Sequence, residues 1–343
     1  MDISPRAAAL HNESIVIDCH SDILMAVADG RVKLGERTVV EGVTTRDVRG
    51  HYDLPRWQEG GVTLQVCALF VRHEEIHYAL ARGIDMVAAA YQEIAANEGL
   101  VLAETVEDIR RAKSDGKVAL MLSFEGVDPL GNSLRLLPVF HKLGIRMASL
   151  THARRNYFSG GVMWGEIDER AGLTPVGREA IKMMNELGIV VDVRHMDALA
   201  IEQTLAISTK PVIFSHVNAL EAFPKDPDDA PHFPFTKDPG VDRYRMMQDI
   251  AASGGVIAII FWRHKSIEAL LDNFVYVAEA VGPQHLALGT DFYGFDMVAE
   301  GMEDVSNFPV LTDRLLGRGF SEDEVRGILG GNMMRVFEQV LKD

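Results

Sequence analysis

The sequence is poor in cysteine, in basic residues and in long apolar runs, and each shortage excludes something. Two cysteines in 343 residues, Cys19 and Cys67, cannot build a disulfide framework. Both lie in apolar stretches, which fits a reduced, cytoplasmic protein. The longest strongly apolar run, Val256–Trp262, is seven residues, whereas a bilayer-spanning helix needs about twenty. The segment Met1–His11 has no signal-peptide apolar stretch, so no membrane association is expected. Lys+Arg 34 against Asp+Glu 50 leaves a formal charge of −16. Such a surface repels phosphate backbones, and nucleic acid is not expected as a partner. Neither GxGxxG nor GxxxxGK[ST] occurs, which removes the usual nucleotide-binding loops.

What is present is a hydrophobic fraction of 47 %, enough for a large core. Short apolar runs alternate with amphipathic segments, the pattern of βα units. The strand-type runs are Ser14–Cys19, Val62–Phe70, Val118–Phe124, Arg146–Leu150, Ile189–Val193, Pro211–Phe214, Gly255–Phe261 and Leu286–Gly289. Helical patterns include Asp85–Asn97, Val106–Ser114, Leu134–Leu143, Val176–Leu187 and Ala198–Ile207. Thr105 with Asp108 reads as a capping box, Thr174-Pro175 as a helix start and Gly188 as a C-cap. Eight such strands predict a (β/α)8 TIM barrel over residues 1–343 as a single catalytic domain. Two polar segments, Asp29–Asp53 and the Pro- and Asp-rich Glu221–Asp242, read as long loops that serve as lids or pocket walls.

The ionisable residues fall in a pattern. His20 and Asp22 follow the first run, Glu125 the third, His152 the fourth, His195 the fifth, His216 the sixth and Asp291 the eighth. The C-terminal strand ends of a (β/α)8 barrel share one rim, so these side chains are expected to converge. Imidazoles and carboxylates without thiolates suit Zn²⁺ or a similar divalent ion. His20 and Asp22 would point the same way from an extended segment and grip one ion. Glu125 opposite them could span two ions, with His195 and His216 completing the second site. Two ions a few ångströms apart can share a hydroxide and polarise a carbonyl, an arrangement used for hydrolysis. Singly, each residue also has an ordinary structural reading: an HxD triplet is common, and Glu125 or Asp291 could cap a helix. The coincidence at six of eight strand ends outweighs those readings. The other eight histidines, His11, His73, His77 and His141 among them, read as surface or packing residues.

The same residues resemble a known family. Asp18-Cys-His-Ser-Asp22 is similar to the opening metal motif of the membrane (renal-type) dipeptidases, peptidase family M19 of the amidohydrolase superfamily. The segment His51–Gly61, Glu125-Gly126, Leu150–Asn156, Asp192–His195, Phe214–His216, Gly289–Phe292 and Gly330–Asn332 recur in the family's order. The match covers essentially the whole chain and leaves no room before His20 for the N-terminal β-sandwich of many other amidohydrolases. It implies one zinc held by His20, Asp22 and Glu125 and a second by Glu125, His195 and His216, bridged by Glu125 and a hydroxide. It further implies that His152 stabilises the oxyanion at the scissile carbonyl, and that Asp291 contacts the bridging water and the substrate's amino terminus.

Three positions depart from the family pattern. Arg194 stands before His195 where the family usually carries Ser or Ala. The loop after the sixth strand lacks the Arg-Asn pair that normally binds the substrate carboxylate. Lys237-Asp238 is its nearest match, with Arg243 and Arg245 further on. Trp262 ends the seventh strand where the family often has Tyr. Lys237 and Trp262 therefore join His152 and Asp291 as expected substrate contacts. The resulting expectation is a binuclear zinc dipeptidase whose partner is a small dipeptide-like substrate, including dipeptides with a C-terminal D-residue. Two rivals stand beside it: a related amidohydrolase acting on N-acyl amino acids or lactones, and a metal-stabilised, non-catalytic binding barrel. A homodimer is left open.

Overall fold

The computed structural model describes residues 3–39, 50–162, 171–225, 242–295 and 298–342. Nine strands lie among them: β1 (Ile17–Asp18), β2 (Leu64–Phe70), β3 (Leu100–Leu102), β4 (Val118–Glu125), β5 (Ile145–Ser149), β6 (Val190–Asp192), β7 (Val212–Val217), β8 (Ile257–Ile259) and β9 (Leu286–Leu288). All neighbouring strands run parallel. The sheet closes because β2 pairs with β4 along its whole length, from Leu64 opposite Ala119 to Phe70 opposite Glu125. On its other side β1 joins β2 to β9. The barrel strands are therefore the eight read from the sequence, and the fold is the expected (β/α)8 barrel.

β3 is the addition. It pairs with Val118–Leu120 at the start of β4, and β5 takes over that edge of β4 from Leu122 onward. Patterning does not reveal it, because three residues are too few for alternation to register and two of them are partly exposed.

Alternation explains why the longer runs are strands. In β2 and β4, Leu64, Val66, Ala119 and Met121 belong to one apolar cluster, and Cys67, Leu69, Leu120, Leu122 and Phe124 to another. Both faces are buried, as parallel strands under crossover helices require. Those helices include Ala79–Ala96 after β2, Pro175–Leu187 after β5, Ala198–Ile207 after β6, Arg243–Ala252 after β7 and Ile267–Val281 after β8. The capping box forms as read: the Asp108 amide donates to Thr105 Oγ1 at 3.2 Å and the Thr105 amide to Asp108 Oδ2 at 3.0 Å. Gly188 caps Pro175–Leu187 at φ 80°, a left-handed conformation that suits glycine. The expected helix at Leu134–Leu143 is instead a 3₁₀ turn, Leu134–Leu136, followed by a helix at Leu137–Lys142. The helix expected from Asp85 begins at Ala79, led in by a 3₁₀ turn at His73–Tyr78.

Residues 40–49 of the first polar loop and 226–241 of the second, Lys237 included, lie outside the described residues. Among the described residues no helix is long and apolar enough to cross a membrane.

Where the barrel carries its chemistry, the backbone is tightly fitted. A Cβ on Gly289, just after β9, would lie 1.9 Å from the Ser215 carbonyl oxygen of β7. That carbonyl cannot retreat without moving His216 beside it. We expect Gly289→Ala to cost about 1–3 kcal/mol, the range for forcing extra atoms into a filled core. Denaturant titration should show a lower midpoint with an unchanged slope.

Candidate metal centre

The rim gathers what the sequence scattered. Glu125 ends β4 and is 4 % exposed. Its Oε1 lies 2.8 Å from His195 Nε2, 3.5 Å from His20 Nε2 and 3.7 Å from His216 Nε2. His20 Nε2 is also 3.7 Å from Asp291 Oδ1 and 4.0 Å from Asp22 Oδ1. The Nε2 atoms of His195 and His216 stand 3.2 Å apart. His152 completes the ring of imidazoles, its ring centre 4.4 Å from that of His195 and 4.5 Å from Phe70. All seven residues expected at the rim are thus brought together.

One detail differs from the expectation. His20 and Asp22 do not converge by extended alternation, because β1 ends at Asp18 and Asp22 (φ −98°, ψ 18°) already opens the helix Ile23–Ala28. The turn into that helix, pinned where Ser21 bridges to Phe292, carries the carboxylate back toward the imidazole.

Two site residues are held in an unusual backbone. His195 has φ 66° and Asp291 φ 60°, the left-handed region that L-residues with a Cβ seldom occupy. Both stand where the chain leaves a strand, so the backbone kink turns each side chain into the mouth of the barrel. Such strain persists only where surrounding structure enforces it, and it concentrates at functional sites.

Electrostatics show what the centre lacks by itself. Burial pushes the His20 imidazole down to about 3, with Arg194 and His152 adding to the effect. Burial likewise holds His195 and His216 well below the ordinary imidazole range, followed by nearby Arg194 and His152. The imidazoles are therefore neutral, with lone pairs available. Glu125 is pushed well above the usual carboxylate range, first by burial and then by Asp291. Three carboxylates, Asp22, Glu125 and Asp291, share this space with neutral imidazoles, and His20 Nε2 is buried without a hydrogen bond. Three overlapping sets of donors, His20–Glu125–His216, Glu125–His152–His195 and His20–Asp22–Asp291, each have their ligand atoms within 4.8 Å of one another. Buried carboxylates facing neutral nitrogen lone pairs are a donor set for divalent cations. The residues fit such an ion.

The substrate-contact candidates separate. Lys237 lies outside the described residues. Trp262 is half-buried, and its ring contacts are with Phe295 (6.0 Å between centroids) and the Arg263 guanidinium (4.9 Å), not with the imidazoles. Arg245 is exposed and paired with Asp249 at 2.9 Å along its own helix. Arg194 sits among the site residues, its guanidinium 5.7 Å from the centre of the Phe214 ring.

The supports beneath these rim residues are not legible in the sequence. Asp18 is wholly buried and accepts hydrogen bonds from Tyr52 Oη (2.8 Å), Thr290 Oγ1 (2.7 Å) and the Thr290 amide (2.9 Å). It thereby ties β1 to the segment that carries Asp291. Asp192 does the same one layer round, accepting from the amides of Arg194 (3.0 Å) and Ser215 (3.1 Å). Gly294 allows a close approach, since a Cβ there would meet Asp291 Oδ1 at 2.3 Å and Asp22 Oδ2 at 2.9 Å. The available signal was an acidic residue two or three positions before a ligand histidine, at Asp18-Cys-His20 and Asp192-Val-Arg-His195.

Fold and site together define a class: hydrolases built on a (β/α)8 barrel with an imidazole–carboxylate metal centre at its rim. The profile of the membrane dipeptidase family, peptidase family M19, matches residues 4–342, and the chain belongs to that family. It is similar to dipeptidase tcpJ of Claviceps purpurea (strain 20.1), 30 % identical over 312 residues covering 86 % of this chain and 71 % of the relative. It is also similar to dipeptidase 3 of Homo sapiens, 27 % identical over 363 residues covering 100 % of this chain and 68 % of the relative. Among solved structures, a metallopeptidase from Rhodobacter sphaeroides, liganded with a phosphinate mimic of the dipeptide L-Ala-D-Ala, has the same fold. Its TM-score is 0.81 at 23 % identity, over 96 % of this chain and 100 % of that one. The protein is a peptide-bond hydrolase of the metallo-dipeptidase kind.

The supports make a measurable contribution. Ser215 Oγ lies 2.9 Å from His216 Nδ1 and also hydrogen-bonds Asp192. A hydroxyl that donates to Asp192 accepts from Nδ1–H, which leaves the His216 Nε2 lone pair facing Glu125. We expect Ser215→Ala to weaken metal affinity by about 10-fold or more, the effect of losing an outer partner of a ligand histidine. Competition against a chelator of known affinity measures it, with circular dichroism to show the barrel intact.

Proposed function

We propose that the protein is a binuclear zinc dipeptidase that cleaves the amide bond of dipeptides, including those with a C-terminal D-residue. The observation that carries this reading is Glu125, whose carboxylate lies within 3.7 Å of three neutral imidazoles on three other strand ends. His20, Asp22 and Glu125 would hold one ion, and Glu125, His195 and His216 the other. When bound, a pair of divalent cations supplies Lewis-acid polarisation of the scissile carbonyl and lowers the pKa of a nucleophilic water.

The chain's own residues do the rest. Asp291 accepts the proton of the attacking water and delivers it to the amine nitrogen as the C–N bond breaks. His152, half-buried above His195, donates to the carbonyl oxygen as negative charge develops there. Trp262 offers an apolar wall at the rim for a substrate side chain. Acceptance of a C-terminal D-residue is supported by the L-Ala-D-Ala mimic carried by the Rhodobacter sphaeroides neighbour. Cys19 and Cys67 are both buried free thiols, which supports a reducing compartment such as the cytoplasm.

The second reading, an amidohydrolase for N-acyl amino acids or lactones, draws on the missing Arg-Asn pair. Parallel assay of L,L- and L,D-dipeptides against N-acyl amino acids separates the two.

Elemental analysis of the purified protein should find about two divalent ions per chain, and His195→Ala or Asp22→Ala should lose at least one. An active, unchelated enzyme without metal would overturn the reading. Because binding to the native state adds to its stability, chelation should also lower the thermal midpoint.

Asp291→Asn keeps the shape and removes the proton acceptor. We expect turnover to fall about 10²-fold or more with metal content retained. His152→Ala should also slow turnover with both ions in place. Full activity in either variant refutes the role given to that residue.

A further inference from the structure

The dipeptidase chemistry above leaves Arg194 without a task. It stands directly before His195 at the exit of β6, and its backbone is fully engaged. Its amide donates to Asp192 Oδ1 at 3.0 Å, and its carbonyl accepts from the Ser149 hydroxyl at 2.6 Å. The side chain is a different matter. Among the described residues the guanidinium makes no hydrogen bond and no ion pair, and Nε is buried with no partner. It is kept in place by the face of Phe214, 5.7 Å from Cζ to the ring centre.

The guanidinium is nevertheless close enough to influence the whole centre. It contributes to the charge environment of Asp291, Glu125 and Asp192, and to the neutrality of His20, His195 and His216. The neighbouring carboxylates do not pair with it. Asp192 is taken up by two backbone amides, and Glu125 Oε1 faces His195 at 2.8 Å. A buried cation with unused donors is costly to keep unless an anion arrives to meet it. The residue retains some exposure to solvent, so that anion can come from the barrel mouth.

We propose that Arg194 is a specificity-determining residue that receives the free carboxylate of the dipeptide beside the metal centre. The inference rests on the dipeptidase reading. In a dipeptide the carboxylate lies one residue beyond the scissile carbonyl, a span of at most about 3.6 Å. A carbonyl placed among the imidazoles therefore brings its carboxylate to a group flanking His195. The guanidinium offers a planar pair of donors that matches a carboxylate, and Phe214 restricts its orientation before the ligand arrives. An arginine adjoining a ligand histidine couples recognition directly to the reacting carbonyl.

The test compares a dipeptide with its C-terminal amide, which differs only in the carboxylate. In Arg194→Met the acid-over-amide preference in kcat/KM should fall about 10-fold or more, through KM of the acid. Arg194→Lys should restore part of the preference, since it keeps the charge and loses the fork. If Arg194→Met does not fold, a reduced preference in Arg194→Lys carries the test. In parallel, a phosphinate dipeptide mimic with a free carboxylate and its carboxamide are titrated calorimetrically into wild type and variants. The acid mimic should lose about 10-fold or more in affinity in Arg194→Met, and the carboxamide much less. An unchanged acid-over-amide ratio in both assays overturns the proposal. So does an equal loss on acid and amide accompanied by loss of metal, which would place Arg194 in the upkeep of the centre. If the wild type cleaves no dipeptide yet binds the acid mimic in an Arg194-dependent way, the carboxylate site stands and the dipeptidase reading falls.

Discussion

A carboxylate buried among imidazoles is the constraint on which the rest depends. Glu125 ends a strand whose eight residues are all buried, and the Arg194 guanidinium nearby lowers its pKa without forming an ion pair with it. Around it stand three histidines that burial keeps neutral. Left alone, the arrangement is unfavourable: a carboxylate held above its usual pKa and lone pairs with nothing to coordinate. Divalent cations resolve both problems at once, and the barrel supplies their ligands because its strand ends meet on one rim. The metal centre is therefore what makes this particular set of buried polar residues tolerable.

The surrounding structure fixes that set before any ligand binds. Asp18 links β1 to Thr290, and Asp192 links β6 to β7, so each ligand histidine hangs from a strand pair cross-braced by a buried acid. The left-handed backbones of His195 and Asp291 cost conformational energy that the closed sheet absorbs. Positions held this firmly favour chemistry in which small errors of alignment are expensive.

The rim residues were legible in the sequence, and their supports were not. His20, Asp22, Glu125, His152, His195, His216 and Asp291 could be read because a parallel barrel converts strand order into a ring, so position alone predicts convergence. The eight barrel strands were legible for a related reason, being apolar on both faces. β3 was not, since three residues carry no period. The route by which His20 meets Asp22 was read as extended alternation and is a turn into a helix, a difference of backbone that two polar residues cannot signal. Asp18, Tyr52 and Thr290 were in view as letters, but their hydrogen bonds span 34 and 272 positions, and no local pattern reports such contacts. Arg194 was visible only as a departure from a motif; its unpaired guanidinium is a fact of three dimensions.

Anomalous diffraction at the zinc edge, from crystals of the metal-loaded protein, decides whether Glu125 joins two metal ions at the rim. Two peaks about 3.5–4 Å apart are expected. Each should lie about 2.0–2.2 Å from a Glu125 oxygen, with His20 and Asp22 on one and His195 and His216 on the other. A single peak, or a pair that Glu125 does not touch, would contradict it.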